Sequence, residues 1–339
     1  MMLPAHADAT LSPVDSGRVI GTDRFGRRRR TGMGFQQVIA APARAALFLV
    51  LTVNEGSEEQ VRELLADASG IARSVSFRTP DDDLDCVIGL GSALWARLFD
   101  ATAPKGLHPF VPLNGARHAA PATSGDLLLH LRAHHMDSCF ELSRQLMNRL
   151  RGHVEVVDET HGFRYFDERD LLGFVDGTEN PQGAAADSAV LISDEDPEYR
   201  GGSYVIVQKY LHDLGAWNAL AVEEQERVIG RSKLDDIEMP ESVKPADSHI
   251  ALNVITDAGG VQKQIRRENM PFGAFGSGEF GTYFVGYAAD PAVIEEMLRR
   301  MFLGGPSGET DRILDFSTAR TGTLFFVPTV DFLDGVPTR

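Results

Sequence analysis

DLLLHLRAHHMDSCFELSRQLMNRLRGHVEVVDE, residues 126–159, decides how the chain folds. In its first part Leu127, Leu129, Leu131 and Ala133 alternate with Leu128, His130, Arg132 and His134. A period of two is a strand, because successive side chains leave a strand on opposite faces. MDSCFELSRQLMNRL (136–150) is helical, with Asp137 as the expected N-cap. HVEVVDE (153–159) returns as a strand. The unit is therefore strand, helix, strand.

The same unit recurs on both sides. Upstream, AALFLVLTV (45–53) is a strand. In the adjoining GSEEQVRELLADASG, Ser57 and Gln60 read as a capping box, and Val61, Leu64, Leu65 and Ala68 form one helical face. SVSFR (74–78) and CVIGL (86–90) read as short strands, and SALWARLF as a short helix. Downstream, SYVIVQKY (203–210), TYFVGYA (282–288) and GTLFFVPT (322–329) are strands. A helical stretch covers about 213–230, and DPAVIEEMLRRMFL (290–303) is a helix capped by Asp290 with Pro291 in its first turn. HIALNVI (249–255) fits either class. The expected class is α+β: two ferredoxin-like units of antiparallel strands with helices on one face. The expected division is a disordered tail at 1–44, a first unit at 45–165 and a second at 166–339.

Composition bounds the function. The chain has 339 residues, 43% hydrophobic and 24% charged, enough for a substantial core. A net charge of −16 argues against nucleic acid as the main partner. Cys86 and Cys139 form no CxxC pattern, so neither a disulfide framework nor a cysteine zinc site is expected. There is no run of 18 or more apolar residues, hence no expected membrane helix. RFGRRRR (24–30) raises twin-arginine export, but Gln36 and Gln37 interrupt the mildly apolar stretch after it, and a cytoplasmic protein is the simpler expectation.

The chemistry concentrates in a few places. GFVDGTENP (173–181) sets Asp176 beside Phe174 and Val175 in a loop of turn formers. It reads either as a surface turn or as a partly desolvated carboxylate suited to proton transfer. His130 and His134 are about 13 Å apart along a strand, too far to share one metal ion. His249 is either a core histidine or an axial ligand for haem iron. In QIRRENMPFG (264–273), Arg267 and Asn269 are two apart and share a strand face. They read as a charged edge or as donors to an anion or a bound peroxide.

Taken together, these residues resemble the dye-decolorising peroxidases, in particular their compact bacterial subgroup. Gly173, Asp176 and Gly177 match the GxxDG signature, and the histidine of SHIALN and the RxN of RRENMPFG come next in the family's order. The resemblance runs from about 45 to 335 and implies a dimeric α+β barrel-like fold. It also implies that haem b (iron protoporphyrin IX) is held mainly by the second unit. It implies His249 as the proximal metal ligand, Asp176 and Arg267 as the distal acid–base and charge-stabilising pair, and Asn269 as their neighbour. Arg231 is implied beside a haem propionate, and Asp311 is the candidate partner of the proximal imidazole. The implied activity is reduction of hydrogen peroxide with oxidation of dyes, phenols or other small organic donors through a high-valent iron-oxo intermediate, with an acidic pH optimum. The alternative is a haem carrier or iron-releasing protein on the same fold. Tyr204, Tyr210, Tyr283, Tyr287, Trp95 and Trp217 are candidate electron carriers or plain packing, and Glu179 with Glu238 a cation patch or a solvated pair. A homo-oligomer is implied. Docking inside a protein nanocompartment is in doubt, because the sequence shows no long tail after DFLDGVPTR.

Overall fold

In the computed structural model, which describes residues 36–306 and 308–336, the first half runs β1 (Ala45–Val53), α1 (Glu58–Ser76), β2 (Asp85–Leu90) and α2 (Ser92–Leu98). A small hairpin, β3 (Leu113–Asn114) and β4 (Ala119–Ala120), precedes β5 (Leu127–Ala133), α3 (Met136–Arg149) and β6 (Val154–Phe163). The second half opens with an irregular stretch that holds α4 (Ala184–Val190) and then β7 (Ser203–His212). The short helices α5 (Leu214–Asn218), α6 (Val222–Ile229) and α7 (His249–Asn253) come next, with the hairpin β8 (Ile255–Thr256) and β9 (Gln262–Lys263). Last come β10 (Arg266–Arg267), β11 (Met270–Ala274), β12 (Glu279–Ala288), α8 (Pro291–Leu303), β13 (Ser317–Ala319), β14 (Thr323–Val327) and α9 (Val330–Asp334).

Ten strands form one antiparallel sheet in the order β10-β12-β7-β14-β2-β5-β1-β6, with β11 on β12 and β13 on β7. The halves meet where Phe326 of β14 faces Leu90 of β2. Among the described residues the ladder is an open path rather than a closed barrel. Alternation sorts β1 into two faces: Leu47, Leu49 and Leu51 enter the helix-covered core, while Ala46, Phe48 and Val50 enter the other. The first core takes Val61, Leu64, Trp95, Leu142, Ile294 and Leu298 from the helices, which lie on one face as expected. Each large apolar side chain so buried contributes roughly 1.5–3 kcal/mol. Ile294, Leu298 and Met301 of α8 belong to this core and also line the large cavity of the second half, so that cavity has a rigid roof.

Several expectations need correction. SVSFR is not a strand: α1 runs to Ser76, and Val75 continues its buried face. Burial on the helical stripe outweighs the strand preference of a short Ser/Val/Phe run. Ser57 precedes α1 without capping it, because its hydroxyl bonds the His153 ring (3.1 Å). The N-cap of α3 is His135, and Asp137 lies inside the first turn. The helical stretch expected at 213–230 is two helices, α5 and α6. Residues 36–44 are not a disordered tail: Gln36 and Val38 are buried, and Gln36 bonds Ile88 and Pro328 through its amide. The remainder of the expected tail, RFGRRRR included, lies outside the described residues.

Candidate active site

His249 is placed by two devices. Ser248, fully buried, caps α7 by accepting from the Ala251 amide (3.4 Å), which fixes His249 as the first helical residue. Gly230 ends α6 at φ +93°, and a Cβ there would stand 2.9 Å from the Ser248 hydroxyl oxygen. The imidazole is then oriented by Asp311, which is wholly buried. One Asp311 oxygen accepts from the Ile313 amide (3.0 Å) and the other from His249 Nδ1 (2.7 Å). A carboxylate only accepts, so the ring proton sits on Nδ1 and the Nε2 lone pair is left free. HIALN is thus helical because Ser248 caps it, a tertiary arrangement that local pattern does not settle.

The GFVDGTENP loop is anchored by its apolar residues. Leu172 and Phe174 are buried against Trp217, whose indole donates to Leu172 O (2.9 Å). Asp170 closes the turn by accepting from the Phe174 amide (3.0 Å), and Gly173 takes φ +93°. Arg169 straps it further, donating to Gly173 O (2.9 Å) and Lys233 O (2.6 Å). This answers why an aspartate stands after Phe174 and Val175: the apolar side chains fix the loop while the carboxylate faces the cavity. Asn180 then ties the loop to β10, donating to Arg267 O (2.7 Å) and accepting from Arg267 N (2.8 Å).

Asp176, Arg267, Asn269, His249 and Arg231 line one cavity of about 1150 Å³ of atom-free space, its mouth included. Its remaining wall is largely apolar, with Leu172, Phe174, Ile229, Ile265, Phe284 and Leu298 among the contributors. All of these residues come from the second half of the chain. Among the described residues neither the Asp176 carboxylate nor the Arg267 guanidinium has a hydrogen-bond or ion-pair partner, and both residues are only part-buried, so both groups are open to a ligand or to solvent. Asn269 Oδ1 accepts from the Val285 amide (3.1 Å), which leaves its NH₂ group for the cavity. Arg231, by contrast, is engaged: it pairs with Glu179 (2.8 Å) and Asp236 (3.1 Å). Burial and the neighbouring Asp176 charge push the Asp170 carboxyl up to about 7, against the pull of three backbone amides.

Of the other residues singled out by sequence, Tyr210 and Glu179 also line this cavity, and His130 lines an adjoining one that Asp176, Arg267 and Asn269 reach as well. His130 is buried with its Nδ1 against the Tyr287 hydroxyl (2.8 Å), and His134 approaches Asp81 O (3.2 Å). Among the described residues no group of three or more His, Cys, Asp or Glu is arranged to hold a metal ion. Tyr204, Tyr210, Tyr283, Tyr287, Trp95 and Trp217 are all core residues. Glu179 faces Arg231, and Glu238 faces Lys244 (2.6 Å), so each already has a cation. Asp170 and Asn180 were missed as site residues. Their only signal was the density of turn formers around Asp176.

Two family descriptions match nearly the whole described chain: Dyp-type peroxidase, N-terminal, over residues 36–164, and Dyp-type peroxidase, C-terminal, over residues 167–332. The chain belongs to the Dyp-type peroxidase family. A dye-decolorizing peroxidase of Mycolicibacterium paratuberculosis is 60% identical over 302 residues, which cover 89% of this chain and 85% of the relative. That of Mycobacterium tuberculosis is 57% identical, covering 89% and 90%. Among solved structures, the encapsulated DyP-type peroxidase from Mycobacterium smegmatis superposes with TM-score 0.88 at 58% identity, covering 90% of this chain and 98% of that one. A variant of Rhodococcus jostii DypB in complex with heme gives TM-score 0.87 at 54% identity, covering 89% and 98%.

Proposed function

We propose that this protein is a haem-dependent peroxidase that reduces hydrogen peroxide and oxidises small organic donors. The observation that carries the reading is the shared cavity: a histidine with a free Nε2, an unpaired carboxylate and an unpaired guanidinium all line it. Haem b fits the donor set and the wall. His249 would hold the iron through Nε2, the apolar side chains would take the porphyrin, and Arg231 would face a propionate. When bound, the haem supplies the redox centre at which peroxide is reduced.

The chain's own groups then have defined tasks. Hydrogen peroxide must lose a proton from one oxygen and gain one on the other before the second oxygen departs as water. Asp176 takes the first proton and returns it to the departing oxygen. Arg267 donates hydrogen bonds to the negative charge that builds there. The Asn269 NH₂ orients the bound molecule. Asp311 holds the Nδ1 proton of His249, which makes Nε2 more basic. A haem carrier needs only His249 and a cavity, so the unpaired Asp176 and Arg267 favour the enzyme.

We take the two units to meet near residue 165, as the matched family regions 36–164 and 167–332 support, with 36–44 added to the first unit expected at 45–165 and the second expected at 166–339. We further infer a cytoplasmic homo-oligomer. Likeness to an encapsulated relative makes association with a compartment shell testable by co-expression. Among the described residues no helix is long and apolar enough to cross a membrane.

The deciding experiment is an absorption spectrum of the protein reconstituted with haem, recorded with and without peroxide. We expect an intense band near ~400 nm that peroxide shifts, with both features lost in His249→Ala. A band that persists unchanged in that variant overturns the ligand assignment. A wild-type protein that binds haem without any response to peroxide overturns the peroxidase reading.

A further inference from the structure

The guanidinium of Arg267 has no partner at its tip, so its orientation must come from its backbone. That backbone lies at the edge of the sheet and has a thin ladder. β10 makes two register pairs with β12, Arg266↔Tyr287 and Arg267↔Gly286. Glu268 N adds a bond to Val285 O (2.9 Å), and the Asn269 side chain, not its main chain, takes the Val285 amide. On one side Asn180 holds both main-chain groups of Arg267. Something must hold the other.

Glu268, between Arg267 and Asn269, does not line the cavity that His249 faces; it lines the adjoining one, which Asp176, Arg267 and Asn269 also reach. Alternation along the strand turns it the other way. Its carboxylate is largely buried and bridges two buried guanidinium groups, Arg266 (3.0 Å) and Arg132. Arg132 belongs to β5 in the first half of the chain and also pairs with Asp85 of β2 (2.8 Å). Two further donors of this cluster go to the 36–44 segment, Arg132 to Gln37 O and Arg266 to Ala40 O. Glu268 is therefore a junction through which the first half, whose described residues do not line the cavity of His249, grips the segment that carries Arg267 and Asn269.

We propose that Glu268, held by Arg132 and Arg266, is a positioning residue for the peroxide reaction, acting through Arg267. This rests on the peroxidase reading for its kinetic consequence but not for its structural one. A buried carboxylate between two arginines has an obvious structural use, because removing one partner of such a cluster strands the others. The positioning role adds a specific claim: the loss on changing Glu268 is a loss of what Arg267 does.

The test is a double-mutant cycle on the haem-loaded enzyme, with hydrogen exchange on the haem-free protein as a second readout. Glu268→Gln keeps the shape but removes the charge and turns one of the two accepting oxygens into a donor, so one of the two arginines loses its partner. We expect it to lower the second-order rate with peroxide by about tenfold in the wild-type background and by less than about twofold in the Arg267→Leu background. In haem-free protein, exchange should rise in the peptide containing 266–270 and stay unchanged in the peptide containing 249–253. Equal losses in both backgrounds, or no loss in a folded Glu268→Gln protein, overturn the proposal. If Glu268→Gln does not accumulate as folded protein, Arg132→Lys takes its place under the same criteria, since it keeps the charge and loses the planar fork. A wild-type protein inert to peroxide, with the expected rise in exchange on Glu268→Gln, would sink the peroxidase reading and with it the kinetic role, and leave only the structural hold of Glu268 on 266–270.

Discussion

At Asp176 and Arg267 the same cavity presents a base and a fixed positive charge, and the two differ in what could replace them. Water can carry a proton in place of a missing carboxylate. Among the described residues on the cavity wall no other arginine or lysine is uncommitted, because Arg231 is already paired with Glu179 and Asp236. Arg267→Leu should therefore slow the reaction with peroxide by about 10²–10³-fold, and at least as much as Asp176→Asn does. Rapid mixing with peroxide measures both; an Arg267→Leu enzyme reacting at the wild-type rate while Asp176→Asn does not would reverse the order. The site also carries two part-buried groups with opposite pH signatures. Burial lowers His212, hydrogen-bonded to Ser317 (2.7 Å) and Thr282 (3.0 Å), to about 4 from 6.5. Between those values the unfolded chain binds the proton and the folded one does not, so stability rises with pH from 4 to 6.5 and is lost on acidification. Asp170 is raised from 3.8 to about 7, so its share of stability is present at low pH and lost as pH climbs to 7. Relative to wild type, Asp170→Asn should gain thermal stability as pH rises from about 4 to 7, and a flat difference in melting temperature would contradict this. His249, Asp176, Arg267 and Asn269 could be proposed from their motifs, and Asp311 only as a candidate that the family resemblance implied. Asn180 and Glu268 could not, because one acts on a strand 87 residues away and the other through a partner 136 residues away.

Between α6 and α7 the geometry that delivers His249 depends on a residue without a side chain. Gly230 has φ +93°, a region that costs an L-residue about 1–2 kcal/mol. Its missing Cβ also leaves room for Ser248, the cap of α7. Gly230→Ala should destabilise the protein by about 1–3 kcal/mol and weaken haem retention, because the added methyl pushes on the residue that starts the helix of His249. Denaturant melts of haem-free protein and a haem titration followed by absorbance separate the two effects. Weakened stability with unaltered haem affinity would mean that α7 is not positioned through this contact. Elements with long periodic faces, such as α8 and β5, were legible in sequence. The ends of α1 and α3 and the split of 213–230 were not, because caps and breaks depend on competing tertiary bonds such as Ser57 to His153.

Across the whole molecule, the two α+β halves could be read from repetition, but their fusion into one sheet could not. That seam is a pairing of Phe326 with Leu90, residues 236 positions apart, and no local pattern announces it. It has a thermodynamic consequence. Phe326 packs on Trp95 from the first half (ring centroids 5.5 Å apart) and on Tyr199 and Tyr204 from the second. The larger core likewise draws on both halves. Halves that share a core lose each other's buried surface on separation, so haem-free protein should unfold in one cooperative step. The two tryptophans report on it independently: Trp95 sits at the seam on the first half, and Trp217 lies beneath the Asp176 loop in the second. Fluorescence of Trp95→Phe and Trp217→Phe variants should give coincident urea transitions after correction for each variant's own stability. Phe326→Ala should then lower the stability seen by both probes together, by about 3–5 kcal/mol. If Trp95 reports the loss and Trp217 keeps its original midpoint, the halves fold separately and the shared sheet is a contact between two independent domains.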